Sequence, residues 1–229
     1  LCCFIVDELC FCHIAKYLAV SITLLKGGYS MISLYVENVE GVWFGIACDG
    51  KKIFAATFAS DEKRVLQSLL KSLPFNVPFQ RSEETSVFAK RVIVLMKNIY
   101  DGKGESDNFF FVTEHLSEYA RRVIEVVSLV PVGYVASYGS VARAAGGSPR
   151  AVGRVMASNP FPLVVPCHRV VCSDFTLGGY GGGYDNVPVK LGILKRESRD
   201  YGSEREISVG GGKLLVFPVE RVLKRVGEE

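Results

Sequence analysis

Asp49-Gly50 lies between two runs rich in β-branched and aromatic residues, Val42–Cys48 and Lys52–Phe58. That pairing signals a type I′ hairpin turn, whose two central residues both need positive φ. A third run of the same kind, Ile32–Asn38, precedes them, so the first half of the chain must build a sheet. Ser60 then reads as a helix cap, with Asp61 and Glu62 in the first turn, where carboxylates suit the helix dipole. Val65, Leu66, Leu69, Leu70 and Leu73 recur at helical spacing until Pro74–Pro78 breaks the run. A second helix is predicted from about Glu83 to Tyr100, and Asp101–Gly104 is the best linker candidate.

From Ser117 the pattern turns helical, with Tyr119, Val123, Val126 and Val127 on one face as far as Pro131-Val132-Gly133. Ser137 starts a short helix through about Ala145, and Gly146-Gly147 turns the chain. Ser148-Pro149 opens another helix, since Ser caps well and Pro suits the first helical position. That helix runs to Ser158 and stops before Asn159-Pro160. Two short helices about a glycine turn make a helix-turn-helix candidate. The second carries Arg150 and Arg154 outward and buries Val152, Val155 and Met156.

Composition narrows the class. With 48% apolar and 22% charged residues in 229, the chain can bury a core and is neither disordered nor fibrous. The net charge of +3 excludes a polybasic protein, yet residues 116–197 hold nine basic and five acidic side chains. No carboxylate falls between Glu125 and Asp174, where four arginines do, which favours approach to a phosphate backbone. Four of the seven cysteines sit in residues 1–30, which open on Leu and are followed by Met31. That segment reads as an upstream extension of the reading frame, or else as a dispensable tail. Its Cys3, Cys10, Cys12 and His13 lack zinc-finger spacing, and its apolar run Ile14–Leu25 is too short to cross a bilayer. The remaining Cys48, Cys167 and Cys172 suit a reducing cytosol, so a cytoplasmic location is expected.

The segment Pro162-Leu163-Val164-Val165-Pro166-Cys167-His168-Arg169-Val170 carries the chemistry. Adjacent side chains rarely face each other, so a bridging water is the natural link between Cys167 and His168. The histidine then needs an orienting carboxylate. Glu197, the first acid after Asp185, ends a predicted helix over Val189–Arg196.

Pro166-Cys167-His168-Arg169-Val170 resembles the active-site signature of the O6-alkylguanine-DNA alkyltransferases, also called methylated-DNA–protein-cysteine methyltransferases. Ser137-Tyr138, Arg150-Ala151-Val152-Gly153, Asn159-Pro160, Pro162, the Gly178–Gly183 loop and Glu197 fall in the same order as in that family. The resemblance is strong over about 131–197; residues 31–110 resemble the family's first domain in outline only. It implies an α+β fold: a small ribonuclease-H-like α/β N-terminal domain (31–112), then a helical C-terminal domain (113–200) containing the helix-turn-helix, with 201–229 as a C-terminal appendage.

The resemblance also implies roles. Cys167 takes the alkyl group from O6 of guanine, with O4 of thymine a further candidate, and keeps it, so the protein acts once. His168 removes the thiol proton through water, Glu197 orients His168, Asn159 ties the cysteine turn to the helices, and Tyr138 serves the 3′ phosphate and the leaving guanine. Arg150 fills the space of the flipped base, while Ala151, Gly153 and Arg154 complete the DNA-facing helix. The carbonyls of Cys167 and Val170 read the guanine amino group, the amides near Tyr180 and Gly181 meet its O6, and Met156 and Pro162 line its pocket. The implied partner is duplex DNA bearing O6-alkylguanine, bound by a monomer, with no cofactor, metal or membrane. Gly181 stands where the family often has a hydroxyl residue, and Gly183–Pro188 is a few residues longer than usual. The rivals are a lesion-binding protein without chemistry, a helix-turn-helix regulator and a cysteine hydrolase. Cys167 argues against the first, the signature against the second, and the geometry of an adjacent Cys-His pair against the third.

Overall fold

The computed structural model describes residues 31–74, 77–103, 109–183, 185–210 and 212–227; the expectations for residues 1–30 lie outside them. Strands β1 (Ile32–Val39), β2 (Val42–Cys48), β3 (Lys52–Ala59), β4 (Phe79–Arg81) and β5 (Phe110–Phe111) form one sheet in the order β4-β1-β2-β3-β5. β1, β2 and β3 are antiparallel neighbours, whereas β4 and β5 join the edges in parallel. The tightest hairpin is not at Asp49-Gly50. Val39 pairs with Val42 across Glu40 (φ 53) and Gly41 (φ 83), the two positive values a type I′ turn needs. At Asp49 the carboxylate instead accepts from the amides of Lys51 and Lys52, which widens the turn, and the β2–β3 register shifts at Ala47/Cys48.

Helices cover both faces of this sheet. α1 (Glu62–Ser72) is capped by Asp61, one residue later than expected, because the Asp61 carboxylate accepts from the Arg64 amide. It buries Val65 and Leu69 against Ile32, Leu34, Ala47 and Phe54. A Cβ on Gly45 would lie 2.3 Å from Val65 Cγ1, so glycine is what lets α1 approach β2. α2 (Val87–Tyr100) starts after Ser86, whose hydroxyl accepts from Ala89, leaving 83–85 outside the helix. It packs Val92, Ile93 and Met96 on the opposite face with Phe44, Ile46 and Cys48. The alternation of the strands thus feeds two layers.

The second half contains α3 (Glu118–Ser128), β6 (Tyr134–Ser137), α4 (Tyr138–Ala145), α5 (Pro149–Ala157), β7 (Val170–Val171), α6 (Val187–Glu197), β8 (Arg205–Val209), β9 (Gly212–Pro218) and α7 (Glu220–Gly227). Ser117, Ser137 and Ser148 cap α3, α4 and α5, the cap at Ser148 being the one its sequence predicts. A second sheet runs β7-β6-β9-β8. From the segment after residue 200, β9 pairs with β6, Val135 opposite Phe217, and occupies an interior position in the sheet. β6 ends at the cap of α4 and runs parallel to β7, which follows the cysteine turn. β9 thereby braces β6, the strand that leads into Tyr138. The halves are joined by an Ala56 N–H to Pro160 carbonyl bond of 2.8 Å and by the Phe111 and Phe161 rings, 4.8 Å apart.

Candidate active site

Asn159 closes the turn that carries the cysteine. Its Nδ2 donates to the Val165 carbonyl at 3.1 Å, and its Oδ1 accepts from the Phe161 amide at 3.0 Å. Leu163, between these contacts, takes a left-handed φ of 71°, a conformation that costs about 1–2 kcal/mol and persists only under such restraint. Pro166 leads into a single 3-10 turn, Cys167–Arg169, and β7 follows at once.

The polar groups behind the turn form one buried cluster. Glu197, on the last turn of α6, is fully buried and accepts from three donors: His168 Nε2 at 3.0 Å, Arg169 Nε at 2.9 Å and Arg169 Nη2 at 2.7 Å. Arg169 Nη1 donates to the Val130 carbonyl at 2.7 Å. Burial alone would raise the Glu197 carboxyl, but His168 and Arg169 outweigh it and hold the group at about 2. Burial lowers His168, against the pull of Glu197, so the imidazole is neutral at neutral pH. With Nε2–H committed to Glu197, Nδ1 is left as an acceptor, and it meets no hydrogen-bond partner among the described residues. That is the tautomer a general base requires.

Burial pushes the Cys167 thiol up, so it is protonated at rest; Asn159, Lys190 and Tyr180 act in the opposite sense. The Tyr180 hydroxyl is buried near the sulfur and has no hydrogen-bond partner among the described residues. Lys190 was not foreseen. It is fully buried on α6, and its Nζ donates to the carbonyls of Val170 and Leu177, each at 2.6 Å. Burial lowers it to about 8, so it still carries most of its charge at neutral pH. The available signal was a lone cation amid Val187, Val189, Leu191, Ile193 and Leu194. Lys190→Met should slow any reaction of the Cys167 thiolate by about tenfold, and Lys190→Arg should restore part of the loss. The rate of thiol alkylation by iodoacetamide would check this; equal rates in wild type and Lys190→Met would remove the lysine from the site.

A recess of about 370 Å³ opens above the sulfur, lined by Tyr138, Gly153, Met156, Cys167, Tyr180 and the glycine loop through Gly183. Tyr138 stands between Gly153 and Gly178, whose added Cβ atoms would meet its ring at 4.0 and 3.4 Å. Arg150 and Arg154 are exposed on α5, and Ala151 is half-buried beside them. Of the expected pocket residues, Met156, Tyr180 and Gly181 line the recess, whereas Pro162 lines a neighbouring groove. The Val170 side chain is in the core and its carbonyl already accepts from Lys190. The Tyr180 amide is not available to a ligand, because it donates to the Gly183 carbonyl at 2.7 Å across the loop; the Gly181 amide is the donor that remains of that pair.

Known proteins resemble this chain. Residues 118–199 match the family described as 6-O-methylguanine DNA methyltransferase, DNA binding domain. A methylated-DNA–protein-cysteine methyltransferase of Methanothermobacter thermautotrophicus is 51% identical over 81 residues, 35% of this chain and 44% of that protein, so the chain spans less than half of that relative. The crystal structure of O6-methylguanine-DNA methyltransferase from Pyrococcus kodakaraensis superposes with a TM-score of 0.52 at 29% identity, over 74% of this chain and all of that one. The Thermococcus barophilus methylated-DNA–protein-cysteine methyltransferase is 32% identical over 160 residues, 66% of this chain and 88% of its own. A likeness of that extent reaches well beyond the cysteine turn: the chain belongs to the methylated-DNA–protein-cysteine methyltransferase family.

Proposed function

We propose that the protein repairs duplex DNA by moving an alkyl group, typically methyl, from O6 of guanine to Cys167 in a single turnover. The observation that carries this reading is the buried thiol at the floor of the recess, beside a neutral His168 whose tautomer Glu197 imposes. His168 Nδ1 takes the thiol proton through a water. The thiolate attacks the alkyl carbon in line, the S–C bond forms as the C–O6 bond breaks, and the electron pair leaves with guanine. Tyr138 supplies a proton to that leaving base. A thioether does not release its alkyl group, so no step regenerates the thiol. A lesion reader without chemistry would have no use for a thiol at the floor of the recess.

In this reading α4 and α5 form a helix-turn-helix, α5 faces the DNA, and the first sheet is the ribonuclease-H-like layer, with β1–β3 antiparallel and β4 parallel to β1. The target base must leave the stack to enter the recess, at a cost of a few kcal/mol. The test is intact-mass analysis after mixing with duplex oligonucleotide containing O6-methylguanine. One methyl per protein, mapped to Cys167, is expected; repeated turnover would defeat the proposal.

Arg150 separates flipping from plain phosphate binding. It is exposed at the leading end of α5, directly after Pro149. As a flipping finger, Arg150→Ala should slow transfer from duplex DNA at least tenfold and leave transfer from free O6-benzylguanine within about twofold. A phosphate contact would lower affinity for all DNA and reduce the salt slope by about one unit instead. Rates on both substrates, with affinity at fixed salt, decide between them.

A further inference from the structure

Cys167 borders a second space besides the recess. A groove of about 960 Å³ runs between the two halves of the chain, and Met156, Ala157, Cys167, Tyr180 and Gly181 line both. The sulfur therefore sits at their junction. In an in-line displacement the transferred carbon lies between guanine O6 and the sulfur, so whatever the substituent carries beyond that carbon must leave sideways. The recess has to hold the base, and the room for a long substituent is in the groove.

The far wall of the groove comes from β3 and α1. Thr57 donates to Ser68 there at 3.1 Å, and Arg64 and Lys71 stand beside them. Among the described residues no Asp or Glu borders the groove, and its charged side chains are Arg64 and Lys71. Arg64 also meets Asp61, a half-exposed carboxylate outside the lining, while Lys71 makes no ion pair among the described residues. A methyl group on Cys167 is too small to reach this wall. An acid-free wall with two cations and two hydroxyls, open to the reactive sulfur, selects for an anionic end on the substituent.

We infer that the groove is a subsite for the transferred group and accepts O6-alkyl and O6-aralkyl substituents ending in a carboxylate, which Arg64 and Lys71 hold. The inference rests on Cys167 being the alkyl acceptor. The S–C bond forms as the C–O6 bond breaks, guanine leaves with the electron pair, and the acidic tail stays on the protein, in the groove.

The test compares wild type with the Arg64→Gln/Lys71→Gln double variant. Each is mixed with free O6-benzylguanine, its 4-carboxybenzyl analogue, the neutral 4-carboxamidobenzyl match and methylated duplex DNA. The rate of mass gain at Cys167 is read for each. The double variant should react about three- to tenfold more slowly with the carboxylate compound, the scale of two exposed ion pairs, and within twofold of wild type on the others. Raising the salt should erase the wild-type preference for carboxylate over carboxamide. Equal wild-type rates for those two compounds, or an equal slowing of all four substrates in the variant, would overturn the subsite. Reaction with methylated DNA but with none of the free bases would overturn it too. Failure of wild type on every substrate, methylated DNA included, would instead overturn the alkyl-transfer reading.

Discussion

Cys167→Ser protein will bind O6-methylguanine duplex as wild type does and will not acquire the methyl group. The substitution exchanges sulfur for a slightly smaller oxygen at a site that is 6% exposed, so the turn built by Asn159 stays in place. What changes is the nucleophile. An alcohol holds its proton far more tightly than a thiol, and a neutral imidazole acting through water cannot remove it at a useful rate. Loss of a covalent nucleophile costs on the order of a million-fold in comparable cases. Gel-shift affinity and intact mass, taken on the same preparation, check both halves of the expectation. Methyl transfer that persisted, or that appeared on Cys172 or Cys48, would show that the wrong sulfur had been assigned.

Glu197→Gln should be the most destabilising conservative change in the chain. Gln keeps the shape but removes the charge that three donors share. Arg169 is then a buried cation with only the Val130 carbonyl as a full partner. Breaking one side of a buried ion pair costs about 3–5 kcal/mol. For a chain of this size that lowers Tm by roughly 6–20 °C. The pH dependence has a definite sign. The Glu197 carboxyl falls from 4.5 to about 2 on folding, so its stabilisation is complete above 4.5 and is lost as pH falls toward 2. His168 is also lowered, so its contribution is present above its ordinary 6.5 and is lost as pH falls below that. Wild type should therefore lose stability with falling pH first through His168 and then through Glu197, and Glu197→Gln should keep the first phase and show a smaller second one, left to carboxyls such as Glu220 that folding also lowers. Thermal melts from pH 7 to pH 3 would reveal it. Alkyl transfer in Glu197→Gln, measured well below its Tm, should also fall, because the amide no longer imposes one tautomer on His168. A variant with wild-type Tm and rate would remove Glu197 from the base's support.

Local chemistry explains what could be read in advance. The caps Ser117, Ser137 and Ser148 act on amides three residues away, so their helices begin where the sequence says. The three strands Ile32–Val39, Val42–Cys48 and Lys52–Ala59 follow from local β-branched and aromatic runs. Asn159, Cys167, His168 and Glu197 are singled out by the resemblance of a short pattern to a known family, and the fold places Asn159 on the cysteine turn and Glu197 on His168. Competition between equally local options explains the misplaced turn: Asp49-Gly50 had the stronger dipeptide, but the Asp49 side chain captured two amides and Glu40-Gly41 took the tight geometry.

Only the closed fold decided the rest. Arg169 and Glu197 are 28 residues apart, and Lys190 reaches the Val170 carbonyl across 20. Each of these charges would be expensive to bury alone and is stable only because a partner arrives from another element. The same holds for the tail, whose strand Gly212–Pro218 pairs with Tyr134–Ser137 some 80 residues earlier. Periodicity and caps determine which residues form a strand or a helix, since those energies are set within a turn or two of the chain. Which strand lies beside which, and which buried charge finds its counterpart, depends on how the chain closes on itself.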